Sequence, residues 1–223
     1  IKDAVTADGD VVVPLDAEGL EEEAVELGAL SVPLGRAVNK IGHALHELDP
    51  VYRAFSYRPE LAAVARALGF EDPGWLQSMH IFKPSGIGGE VNWHTDETFL
   101  RTDPPSVAGF WFALEDATTE NGCLQVLPGM HERPPRRRFV REGDTTRFEV
   151  VDPSPWPVQG AVPVEVPAGT LVVLHGRLPH YSAANRSGRS RQAYALHAIE
   201  RGAVYPEDNW LRRRMPPPPL AEE

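Results

Sequence analysis

The chain has 223 residues and a formal net charge of −10, which allows one domain with a sizeable core and argues against a nucleic-acid-binding surface as its main business. A single cysteine, Cys123, excludes an intrachain disulfide and fits a reducing compartment, and no apolar run reaches membrane-spanning length. With no signal-peptide pattern either, the expectation is a cytoplasmic protein with a small-molecule substrate and neither a nucleic-acid nor a membrane partner.

Residues 1–35 are acidic and poor in aromatics, with Asp8-Gly9 as a turn candidate and Glu18, Glu21, Glu22, Glu23 and Glu26 as a solvated charged run. From Ala37 to Leu48 the residues Val38, Ile41, Leu45 and Leu48 recur at helical spacing, and Pro50 marks the end, so an amphipathic helix is predicted. A second helix is predicted over Pro59 to Leu68, with Pro59 in its first turn and Gly69 as its C-terminal cap. After Pro73-Gly74 the pattern changes to short β-type runs: Trp75–Phe82, Glu90–His94, Val107–Leu114, Cys123–Leu127, Val162–Val166, Thr170–His175, Pro179–Ala183 and Arg191–Ile199. Eight antiparallel strands in two sheets, with helices packed outside, make a jelly roll the expected fold. Arg133 to Trp156, rich in Arg and Pro and without periodicity, reads as a long loop over one end of the barrel. The expected organisation is an acidic segment over 1–35, a jelly-roll domain over 36–211 and a Pro-rich extended tail over 212–223.

Asn92-Trp93-His94-Thr95-Asp96 carries the first chemical signal. Residues i and i+2 of an extended chain project to one face, so His94 and Asp96 can reach one ion while Thr95 turns away. Completed by a distant histidine, such a pair forms the facial triad of non-haem Fe(II) oxygenases, although His-x-Asp alone is more often structural. Among the other histidines, His43 and His46 lie three apart on the predicted helix, where a solvated or capping role is expected. His80, His175 and His197 fall within apolar β runs and read as hydrogen-bonded core or lining residues. His180, opening a strand after Leu178-Pro179, is the best third ligand. Arg191 follows eleven residues later, and a guanidinium facing into a barrel suits bidentate binding of a carboxylate.

Taken together, VNKIGHALHELDPVY (38–52), LQSMHIFKP (76–84), GGEVNWHTDETFL (88–100), GFWFALEDATTENGCLQVLPGMH (109–131), LHGRLPHYSAANRSGRSRQAYALH (174–197) and PEDNWL (206–211) resemble the phytanoyl-CoA dioxygenase family of Fe(II)/2-oxoglutarate oxygenases. The resemblance runs from Val38 to Leu211. It implies a double-stranded β-helix of cupin-like type, His94, Asp96 and His180 as iron ligands, and Arg191 as partner of the distal carboxylate of 2-oxoglutarate. It also implies that Lys40, Met79 and Trp111 line the co-substrate site; read from the residues alone they are a surface lysine, a core filler and a core aromatic. The family's leading helix and strand find no counterpart ahead of the matched region, so part of the lid or co-substrate wall is expected to be missing.

The implied reaction consumes O2 and 2-oxoglutarate, releases succinate and CO2, and hydroxylates an unactivated C–H bond of a small organic or acyl-type substrate. Related halogenases lack the carboxylate ligand, so Asp96 favours hydroxylation. Two other readings stay open: a non-catalytic metal- or ligand-binding jelly roll, and a cupin-like metal isomerase or hydrolase, against which Arg191 speaks. Arg133, Arg136, Arg137, Arg138 and Arg141 in the predicted mouth loop suit either an anionic substrate such as a CoA thioester or local charge balance, and the second is favoured.

Overall fold

The structure, a computed structural model, describes residues 38–220 and, ahead of them, the backbone of two short paired strands, β1 (Ala4–Val5) and β2 (Val11–Val12). The Asp8-Gly9 turn and the acidic run lie outside the described residues.

The first predicted helix is corrected. Lys40–His43 is instead a strand, β3, followed by a single helical turn, α1 (Leu45–Leu48), and by α2 (Pro50–Ser56). Residues 40–43 are extended because an edge was open to them: Lys40, Ile41, Gly42 and His43 register with Ile81, His80, Met79 and Ser78 of β4 (Pro73–Ile81). Tertiary pairing overrides a weak helical period here. Pro50 starts a helix rather than ending one, since its missing N–H costs nothing in the first turn, and Asp49 caps α2 by accepting from the amides of Val51 and Tyr52. The second helix is found as predicted, α3 (Pro59–Ala67), with Leu61, Ala62 and Ala65 buried.

The remaining strands are β5 (Val91–His94), β6 (Ala108–Ala113), β7 (Leu124–Val126), β8 (Arg137–Glu142), β9 (Thr145–Val150), β10 (Val162–Val164), β11 (Leu171–His175), β12 (His180–Ser182) and β13 (Ala193–Glu200). They form a five-stranded sheet in the order β11-β6-β13-β4-β3 and a four-stranded sheet in the order β10-β7-β12-β5, every pair antiparallel. This is the jelly roll expected, with all eight sequence-predicted strands in it.

Arg133 to Trp156 is corrected too, because β8 and β9 within it pair as a hairpin across Gly143, whose φ is +62°. Charged residues on both faces hid the alternation, and the one apolar cross-strand pair is Phe139 opposite Phe148. Arg136 is buried here, donating to the carbonyls of Ser154 and Pro155 and stacking over Trp156, and Arg141 donates to the Trp210 carbonyl. These two arginines hold the fold. Residues 212–220 run back over β4, with Pro219 bridged to Gly74 and Leu220 buried.

Strand alternation, shifted once on β4 opposite His197 and Ala198, separates a helix-side core from a barrel-side core in the large sheet. Phe110, Phe112, Tyr194, Leu196 and Trp75 face the helices and pack with Leu61, Ala62 and Ala65. Trp111, Ala113, Ala193 and Ala195, with Met79 and Ile81, face the small sheet and fill the barrel with Cys123, Leu124 and Leu174. Every residue of β6 is buried because both of its faces are covered.

Candidate metal centre

The barrel's small sheet places the histidines. His94 closes β5 and His180 opens β12, and the two are direct cross-strand partners with ring centroids 4.2 Å apart. The chain stays extended through Thr95 (φ −121°, ψ 147°), so the alternation carries Asp96 round to the side of His94 although the strand has ended and a 3-10 turn, Asp96–Thr98, has begun. One ligand atom from each of His94, Asp96 and His180 lies within 4.8 Å of the other two.

Each ring is already oriented. His94 Nδ1 is 2.7 Å from the Asn92 carbonyl and His180 Nδ1 is 3.0 Å from the Leu178 carbonyl. A carbonyl only accepts, so both Nδ1 atoms carry the proton and both Nε2 lone pairs are free for a metal. Burial, and then the nearby His180, push His94 down to about 3, so it is neutral at physiological pH as a ligand must be.

Asp96 is buried and ionised. Burial alone would raise its pKa, but His197, His180 and His94 together hold it below the usual carboxylate range. Oδ1 lies 3.2 Å from Nε2 of His197 and 3.6 Å from Nε2 of His180. Oδ2 is buried with no hydrogen-bond partner and rests against Gly109 of β6, where an added Cβ would stand 2.9 Å away. A buried, under-bonded carboxylate is costly without a cation. Nitrogen and oxygen donors of this kind, three in number, suit iron(II).

His197 is buried, as its apolar β run predicts, and its contact with Asp96 arises only in the folded barrel. Its Nδ1 accepts from the Gln77 amide at 3.2 Å, and Gln77 Oε1 accepts from His43 Nδ1 at 2.7 Å, so a chain of donors runs from His43 to the carboxylate. His43 is therefore bonded within the fold rather than solvated, and His46 is fully buried on the Ser78 hydroxyl, both corrections to the helical reading. The signal for His197 was its spacing: six residues from Arg191, it shares Arg191's face of an extended strand. His80 is hydrogen-bonded as expected, to Tyr52 and Gln192; His175 is hydrogen-bonded too, accepting from the Arg177 amide, but is exposed rather than in the core.

Arg191 is 1% exposed and sits beside the centre. Its Nη2 donates to Ser182 Oγ at 3.0 Å, its guanidinium carbon lies 5.5 Å from the Trp111 ring centroid, and Nε and Nη1 have no partner. Ser182 shares a strand face with His180, two residues and roughly 7 Å along β12, which is the span of a short dicarboxylate. Met79, Ala195 and Trp111 stand in one row across β4, β13 and β6 and form the apolar wall between these points. Lys40 registers with Ile81 at the edge of the same wall, on β3 rather than on a helix, and its charge is felt at His94 and His43.

Beside the His94–Asp96 segment lies a cleft lined by Thr95, Arg133, Arg136, Trp156, Arg177 and Pro179. Arg177 there pairs with the buried Glu97 at 2.6 Å. No helix among the described residues is long and apolar enough to cross a membrane.

Comparison with known proteins adds the following. A family model described as phytanoyl-CoA dioxygenase (PhyH) matches residues 10–193, so the match starts well ahead of Val38. Phytanoyl-CoA dioxygenase 1 of Oryza sativa subsp. japonica is 48% identical over 196 residues, covering 87% of this chain and 69% of the rice protein. Phytanoyl-CoA dioxygenase domain-containing protein 1 of Mus musculus is 45% identical over 203 residues, with the same two coverages of 87% and 69%. Among solved structures, the non-haem alpha-ketoglutarate-dependent carbocyclase SnoK of nogalamycin biosynthesis superposes with a TM-score of 0.62 at 27% identity, over 82% of this chain and 73% of that one. EctD from S. alaskensis, solved with 2-oxoglutarate and 5-hydroxyectoine, gives a TM-score of 0.65 at 21% identity over 84% and 71%, a likeness of fold.

Proposed function

We infer the function from one premise: the chain belongs to the phytanoyl-CoA dioxygenase (PhyH) family, whose members are iron(II)- and 2-oxoglutarate-dependent oxygenases. The reading it supports is a hydroxylase acting on an unactivated C–H bond of a small organic or acyl-type substrate, with succinate and CO2 as co-products. The observation that carries it is the convergence of His94, Asp96 and His180 within one strand face of a buried, partly unbonded Arg191.

In this reading His94, Asp96 and His180 hold iron(II), and Arg191 receives the distal carboxylate of 2-oxoglutarate through Nε and Nη1. Iron, 2-oxoglutarate and O2 together supply the oxidising chemistry, coupling decarboxylation of the co-substrate to oxygen insertion. The chain's own residues orient and exclude. The carbonyls of Asn92 and Leu178 keep both imidazoles in the metal-binding tautomer, and His197 fixes the rotation of the Asp96 carboxylate. Trp111 and Met79 wall the co-substrate off from water, and Lys40 contributes positive charge at the edge of that wall. Asp96 would supply the carboxylate that related halogenases lack, which favours hydroxylation over halogenation. An isomerase or hydrolase would leave the buried guanidinium without a purpose.

The test is succinate formation from 2-oxoglutarate by the purified chain with iron(II) and ascorbate, with and without a metabolite panel. Turnover is expected in the parent protein, stimulated by the true substrate, and lost in His94→Ala and Asp96→Ala. Unchanged turnover in His94→Ala would overturn the reading.

A further inference from the structure

Lys83 and Arg191 stand side by side just beyond the paired ends of β4 and β13. The Arg191 amide donates to the Lys83 carbonyl at 3.0 Å, which carries the Ala193-to-Ile81 register one step further out. Alternation therefore sends both side chains to the inward face, the face of Ile81, Met79 and Ala195. Lys83 is 2% exposed and Arg191 is 1% exposed. Like charges directly opposite on neighbouring strands repel, and burial makes this worse.

Neither residue forms an ion pair among the described residues. Lys83 Nζ donates to the carbonyls of Ser182 and Ala183, while Arg191 donates to the hydroxyl of the same Ser182. The titratable groups that face Lys83 are Arg191, Glu90 and Cys123. Glu90 is exposed and engaged by the Tyr181 hydroxyl, and Glu115, which faces Arg191, is held by Ser190 and the Gln192 amide. The slot for the lysine is built into the backbone. A Cβ on Gly88 would stand 2.4 Å from Lys83 Cγ, and one on Gly122 would stand 3.2 Å from Nζ. Two basic side chains are thus driven inward around one serine with no anion of the protein's own between them.

We propose that Lys83 is the charge partner of Arg191 in the site for the distal carboxylate of 2-oxoglutarate, an inference that rests on the functional reading above. Lys83 acts through the shared Ser182 segment and by its field, as a positioning residue. Burial first, and Arg191 second, push it down to about 7, so at neutral pH it is only partly protonated until an anion arrives. Binding of the dianion then favours the charged form, and the site takes up a proton.

The experiment is calorimetric titration of the anaerobic iron(II) protein with 2-oxoglutarate in buffers of different ionisation enthalpy, at pH 6 and pH 8. Uptake of roughly half a proton or more is expected at pH 8 and close to none at pH 6, from the position of Lys83 on its titration curve. In Lys83→Met the uptake at pH 8 disappears and 2-oxoglutarate binds about ten- to hundredfold more weakly, while the metal still binds. Binding by the parent protein with no proton uptake at pH 8 overturns the proposal and leaves the functional reading intact. So does a Lys83→Met protein whose only change is a lower melting temperature, which is what a purely structural lysine would give. Failure of the parent protein to bind 2-oxoglutarate at all overturns the functional reading, and the proposal with it. Should Lys83→Met not fold, the parent protein's pH series alone decides.

Discussion

Replacing Gly109 by alanine tests whether the Asp96 carboxylate is positioned by the large sheet. Gly109 lies on β6 between Leu174 of β11 and His197 of β13, and it faces into the barrel. A Cβ there would stand 2.9 Å from Asp96 Oδ2, 3.5 Å from Leu174 Cβ and 3.8 Å from His197 Cδ2, so only the carboxylate is crowded. Relief requires a shift of about 0.5 Å, taken up by rotating the carboxylate against His197 or by moving the 3-10 turn, because strands packed on both faces yield little. Overpacking on that scale costs about 1 kcal/mol, partly offset by the lower chain entropy of alanine in the unfolded state, so the fold survives. Metal affinity suffers more, by about ten- to hundredfold, as when groups that orient a ligand are disturbed. The assay is anaerobic titration with cobalt(II), followed by its visible absorption, alongside a thermal melt. Gly89→Ala is the control, since a Cβ there meets nothing within 4 Å. Wild-type cobalt affinity in Gly109→Ala would refute the reasoning.

Three further outcomes are expected. Asp49→Ala removes the acceptor for the Val51 and Tyr52 amides and lowers stability by about 1 kcal/mol in urea melts, with 2-oxoglutarate binding unchanged. Arg177→Met leaves Glu97, 5% exposed, without its cation and destabilises by about 3 kcal/mol; the double variant Arg177→Met/Glu97→Gln recovers much of the loss, and no recovery would show that the pair contributes little. His43 is pushed down to about 4, by burial first, against an ordinary 6.5, so the unfolded chain binds the extra proton between those values. Its contribution is present above pH 6.5 and is lost as pH falls towards 4, by up to about 3 kcal/mol. Urea midpoints across that window should fall less steeply in His43→Asn than in the parent protein.

The barrel strands were legible because each is a short β-type run bounded by turn residues, from Trp75 to Ile199. The hairpin Arg137–Val150 was not, because charged residues occupy both of its faces and a single Phe139–Phe148 pair carries the apolar signal. Lys40 to His43 misled for a different reason. Their helical spacing is real, but the free edge of β4, which claims them as a strand, comes from residues 73–81 and appears in no local window.

The sequence by itself determined the donor types and their spacing: His94 and Asp96 on one side of an extended segment, a histidine opening a later strand, and an arginine eleven residues beyond it. These follow from the period of two along a strand, a property of the chain alone. Only the tertiary structure decided that His94 and His180 are opposed across β5 and β12, that His197 reaches Asp96 through the barrel, and that Lys83 is driven in beside Arg191. Such contacts depend on register between strands tens of residues apart, and register is set by which faces become buried together.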